Sequence, residues 1–123
     1  KNLFDWYSGI MKAPATPEKR SEVKMADDMI KGMLTNRSFK VKTREGFHPT
    51  GLSASQSLAL FNERRDALIK HMSETKDDLR NHIAETPVGV VDAYQLLLFL
   101  SAHTKRHTLQ IAELKANPNF PKN

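Results

Sequence analysis

The chain has 123 residues, enough for one domain with a real core but not for two. Hydrophobic residues make up 39% and charged residues 27%, a globular rather than a disordered composition. The formal charge is +5, but lysines and arginines are mixed with acids along the chain, so no basic stripe marks a nucleic-acid partner; cysteine is absent, which excludes disulfides and leaves His, Asp or Glu for any metal site.

Leu3, Trp6 or Tyr7, and Ile10 form a helical stripe that Pro14 and Pro17 bring to an end. No N-cap precedes this helix, and an N-terminal part is expected to be missing. Trp6 is expected in the core. A weaker helix is predicted over residues 26–36, with Met29, Ile30 and Met33 on its apolar side. Residues 35–52 read as an irregular loop with Lys40, Lys42, Arg44, Gly46, Pro49 and Gly51; a loop this long often covers a site.

Ser53 with Gln56 three residues later is a capping box, and a long helix is predicted from about 54 to 84. Its stripe is Leu58, Phe61, Arg65, Leu68 or Ile69, Met72, Leu79 and Ile83. Thr86-Pro87 and Gly89 break the chain, and a last helix is predicted from about 90 until Asn117-Pro118 stops it. Its core positions are Val91, Tyr94, Leu97, Leu98, Leu100, His103/His107, Ile111 and Leu114. No strand and no internal repeat is predicted, and the two long helices should pack antiparallel as in a bundle. No apolar run reaches the roughly 18 residues of a membrane span. No signal-peptide pattern is visible, and the expected setting is cytoplasmic.

His103 and His107 stand four residues apart, one above the other on a helix face. Neutral imidazole is the commonest metal ligand, so such a pair can reach one ion together. A third ligand would come from His48, His71, His82 or Asp5, and the spacing singles out none of them. An interior histidine is more often a satisfied core residue, and i, i+4 pairs also arise by chance. On the residues alone, a structural pair stands beside the metal reading. Arg65 lies on an apolar stripe and needs an acceptor: Asp92 or a nearby carbonyl, a substrate carboxylate, or water reached by a snorkelling head. Tyr94 is expected to pack with Leu97 and Leu98. Gln110 is expected in solvent, with a place behind the histidines as the alternative, and Arg106 is expected on the surface.

Gly89, Asp92, Ala93, Tyr94 and Gln95, followed by His103, Arg106, His107, Thr108, Gln110 and Ile111, resemble the last helix of the DinB/YfiT-like superfamily. The likeness extends back through Pro49-Thr50-Gly51 and the helix with Phe61 and Arg65, and forward to the tail from Pro118 to Pro121. It implies an all-α, up-and-down four-helix bundle forming a single domain over 1–123. About three helices would lie in this chain, the family's first helix and part of its second being absent. It further implies a metal-dependent enzyme that holds zinc or nickel through three histidines. His103 and His107 match two; the third falls just before Lys1, with His48 the candidate inside the chain. Characterised relatives imply thiol-dependent transfer or hydrolysis on a small-molecule substrate, with a low-molecular-weight thiol such as bacillithiol or mycothiol, in a homodimer. The rival expectation is a non-catalytic stress-response or interaction bundle with a structural or vestigial histidine pair. A nucleic-acid-binding reading rests on charge alone.

Overall fold

The computed structural model describes residues 3–38, 40, 42, 48, 51–86 and 88–121, apart from the side chain of Leu3. Most of the loop predicted over 35–52 lies outside the described residues. The fold is mainly helical, in keeping with the all-α expectation. Helix α1 covers Leu3–Met11, α2 Asp27–Thr35, α3 Ala54–Glu74 and α4 Ala93–Ala116. A 3₁₀ helix, Pro17–Glu22, and a hairpin of β1 (Ile83–Thr86) and β2 (Gly89–Asp92) complete it.

The short helices hold by burial rather than length, since isolated helices of nine residues are marginal in water. In α2, Asp27 and Asp28 favour the positive end of the helix dipole, and Ile30 and Leu34 are buried one turn apart. That face packs chiefly against α4. Met29, expected on the same side, is exposed instead. In α1 the buried side chain is Tyr7, and Trp6 meets Phe99 of α4 edge-on.

Both arms of the Ser53–Gln56 capping box are made: Gln56 N–H donates to Ser53 Oγ at 3.2 Å, and Ser53 N–H to Gln56 Oε1 at 2.9 Å. The helix ends ten residues earlier than predicted. Thr75 Oγ1 donates to Asp77 Oδ2 and accepts from Asp77 N–H, a local alternative to the helical ladder. Leu79 and Ile83 therefore lie off the helix. The expectation of no strand is also corrected. Ile83 pairs with Asp92, Ala84 with Val91, Glu85 with Val90 and Thr86 with Gly89, antiparallel. Branched Ile83, Thr86, Val90 and Val91 suit a pleated surface. Gly89 takes φ +123°, a turn conformation closed to other residues, and Thr86 Oγ1 donates to its carbonyl at 2.7 Å.

Helix α4 begins at Ala93, three residues later than predicted. Asp92 caps it in a second capping box: Gln95 N–H donates to Asp92 Oδ1 at 2.7 Å and Asp92 N–H to Gln95 Oε1 at 3.2 Å. Asp92 is fully buried. Its other oxygen accepts from Arg80 Nη1 at 3.1 Å and from Arg20. Arg80 also grips Asp27 at 2.8 and 3.0 Å, and Gln95 Nε2 donates to Met25 O and Asp27 Oδ1. One polar hub thus joins the 3₁₀ helix, α2, the hairpin and α4. Tyr94 carries the Arg80 guanidinium over its ring, 4.0 Å from the centroid.

The apolar core consists of Tyr7, Ile30, Leu34, Leu68, Val91, Ala93, Leu96, Leu97 and Ala102. Helix α3 gives it Leu68 alone; Leu58, Phe61, Ile69 and Met72 of its expected stripe are exposed. At the far end of α4, Ile111 and Leu114 are exposed as well. Helix α3 is also tied down by polar links, Arg65 to Thr104 of α4 and His71 to Tyr7 of α1.

Candidate metal centre

Three helical turns separate the Asp92 cap from the histidine pair. His103 and His107 occupy the same side of α4, and their Nε2 atoms approach to 2.8 Å with the rings edge-on at 87°. His107 Nδ1 lies 2.7 Å from Gln110 Oε1. An amide oxygen only accepts, so His107 carries its proton on Nδ1 and keeps a bare Nε2. His103 Nε2–H then donates across the 2.8 Å gap. Phe99, one turn earlier, stacks on the His103 ring at 5.8 Å and 12°, which fixes its plane. Burial first, then His107 and Arg106, pushes the His103 pKa below the usual histidine value, so the ring is held neutral, as a ligand requires.

This donor set fits a divalent ion at two positions. Bonds of ~2.0–2.1 Å to a tetrahedral ion place two nitrogens roughly 3.3 Å apart, a small opening from the separation seen. For both Nε2 atoms to face an ion, the His103 proton would pass from Nε2 to Nδ1 and the two rings would part slightly. Among the described residues no third His, Asp or Glu joins the pair.

The other candidates lie elsewhere. His48 is exposed in its loop. His71 Nε2 is engaged with the Tyr7 hydroxyl at 2.7 Å. His82 sits at the foot of the hairpin, its carbonyl accepting from Ala93 N–H, and its Nδ1 is buried without a hydrogen-bond partner. Asp5 is exposed on α1.

Three expectations need revision. Gln110 is half-buried and orients His107 rather than facing water, and the i, i+3 spacing is the signal for it. Arg106 is buried, not on the surface, and donates to the carbonyls of Leu34 and Asn36 at 3.1 and 2.9 Å, closing the end of α2. Its acceptors are backbone groups some seventy residues away, for which a sequence carries no signal. Arg65 is half-buried and donates to Thr104 Oγ1 at 2.6 Å rather than to Asp92, which the hub consumes.

Among the described residues no helix is long and apolar enough to cross a membrane. Comparisons with curated proteins and with solved structures return no match. A model of the DinB superfamily matches residues 6–111, from Trp6 of α1 through the hub, the histidine pair and Gln110 to Ile111. The match reaches every element of the fold, leaving out only the first residues of α1 and the last of α4, and the chain belongs to the DinB superfamily.

Proposed function

We propose that this chain is a metal-dependent enzyme whose zinc or nickel ion is bound in part by Nε2 of His103 and of His107. The convergence of those two nitrogens, with Gln110 holding the opposite proton of His107, carries the reading. A second group that orients a metal-binding imidazole is the usual companion of such a ligand. The ion would supply Lewis acidity, drawing a thiol or a water towards its nucleophilic form. The chain has no cysteine, so a reacting thiol would come from a low-molecular-weight thiol cofactor or the substrate itself. Thiol transfer to, or hydrolysis of, a small-molecule electrophile is the reaction class. Phe99 and Gln110 fix the two rings, and for His103 to bind through Nε2 the proton it donates to His107 would pass to its own Nδ1. A homodimer belongs to the same proposal, supported by the apolar row Leu58, Phe61, Ile69 and Met72 exposed on α3.

A second reading, a non-catalytic bundle, draws on the same 2.8 Å contact: the two histidines satisfy one another without an ion. Elemental mass spectrometry after equilibration with zinc or nickel separates the two. The enzyme reading expects stoichiometric metal that is lost in His103→Ala and His107→Ala. Metal content unchanged by both substitutions would sink the assignment.

A further inference from the structure

Arg65 is a half-buried arginine whose charge no described residue balances. Arg37 holds Glu113, Arg80 holds Asp27 and Asp92, and Arg106 donates to two carbonyls. Arg65 instead donates from Nη2 to a neutral hydroxyl, that of Thr104, and its guanidinium lies over the Phe61 ring, 5.2 Å from the centroid. The Thr104 proton is itself spent on the Leu100 carbonyl at 3.1 Å, so the hydroxyl meets Arg65 as an acceptor. These contacts fix the fork without neutralising it, and its remaining N–H groups have no protein acceptor among the described residues. A partly desolvated guanidinium is stabilised most by an oxyanion that takes two N–H groups at once.

Its position gives that vacancy a use. Thr104 follows His103 directly and precedes His107 by three residues, so Thr104 and His107 share a face with Cβ atoms about 5–6 Å apart. The fork is anchored to the turn that carries the histidine pair. We infer that Arg65 forms an oxyanion subsite beside His103 and His107, taking a carboxylate or phosphate carried by the substrate. Calling the anion part of a substrate rests on the proposed enzyme reading; the anion site itself needs no metal. Phe61 floors the subsite and Thr104 aims the fork.

The test is a nuclear magnetic resonance titration of the metal-free protein, following the Thr104 amide and the Arg65 Nε–H. The probes are malonate, inorganic phosphate and, as the uncharged control, malonamide. Saturable shifts with an anion and none with malonamide are expected, the stronger responder telling carboxylate from phosphate. Arg65→Gln should weaken the response at least tenfold. Arg65→Lys, which keeps the charge but not the fork, should retain part of it and shows that loss in the glutamine variant is not unfolding. No saturable shift with either anion, or a response untouched by Arg65→Gln, overturns the inference. Metal content of the same proteins is read separately. Anion shifts without metal uptake would sink the enzyme reading and leave the subsite standing, and metal uptake without anion shifts would do the reverse.

Discussion

From Ala93 to Ala102, α4 is a core helix: Ala93, Gln95, Leu96, Leu97 and Ala102 are buried, and its cap is tied into the hub. From His103 onward Arg106 alone is buried, and Ile111 and Leu114 are 57% and 60% exposed. One continuous helix thus has an anchored half and a presenting half. The first fixes where the helix points; the second carries the histidine pair, Gln110 and the Thr104 anchor of Arg65. The proposed ligand set would need positions held to a fraction of an ångström and also access to a small molecule, and a helix divided in this way would meet both needs.

The largest effect should come from the root of the anchored half. Asp92→Ala removes the cap of α4 and leaves Arg80 and Arg20 facing each other without their shared carboxylate. Loss of one partner of a buried ion pair costs about 3–5 kcal/mol, and the two arginines are partly solvated, so a value near about 3 kcal/mol is expected from urea unfolding. Next comes Leu96→Ala, in the centre of the core, at about 2–5 kcal/mol. Neither substitution touches the histidines. Each variant, where folded, should still bind metal, and loss of metal with the fold intact would show that the halves are coupled.

On the presenting half the sign of the comparison reverses. Gln110→Ala should leave stability nearly unchanged and weaken metal binding about 10–100-fold, because the His107 tautomer is then no longer fixed. Equal metal affinity in the variant would mean that the Gln110 contact is incidental.

The hub that anchors the first half also responds to acid. Asp27, in the hub, has its carboxyl held at about 2, chiefly by the hydrogen bond from Arg80 and further by Gln95. Its folded pKa lies below the ordinary 3.8, so the unfolded chain binds the proton more tightly. The contribution is complete above about pH 4–5 and is lost as the pH falls towards 2. With the Asp27 side chain 35% exposed, solvent screening brings it to the order of 1 kcal/mol. Asp27→Asn should flatten that part of the stability profile; an unchanged acid limb would place the sensitivity elsewhere in the hub.

The same division explains what was legible in the sequence. The pair His103/His107 and the Ser53/Gln56 cap are local spacings, and local spacing survives folding. The Asp92/Gln95 cap is equally local, yet it sits in the mainly apolar stretch from Gly89 to Leu100, where helix and strand patterns overlap, so the pattern predicts helix from about 90, where β2 stands. The early stop of α3 turns on Thr75 and Asp77, whose side chains compete with the ladder at the price of only a few hydrogen bonds. The hub, Arg106 on the end of α2 and Arg65 on Thr104 join residues 39 or more positions apart for all but the Arg80–Asp92 and Asp92–Gln95 links, and periodicity says nothing about such partners.

The smallest effect, and the sharpest use of the comparison, belongs to Ile111→Ala. Two turns beyond His103, Ile111 looks in sequence like a continuation of the core stripe that includes Val91 and Leu97. In the fold it faces solvent, so its side chain has little burial to lose, and the cost should stay within about 0.5 kcal/mol, against the 2–5 kcal/mol of Leu96→Ala. The measurement is thermal unfolding at two protein concentrations a hundredfold apart. A concentration-independent small shift means that α4 ends in solvent as drawn. A cost above about 1 kcal/mol that grows with concentration means that a second copy covers this face. The histidine pair, a single turn away, would then sit at the rim of a dimer interface and share its access with the partner.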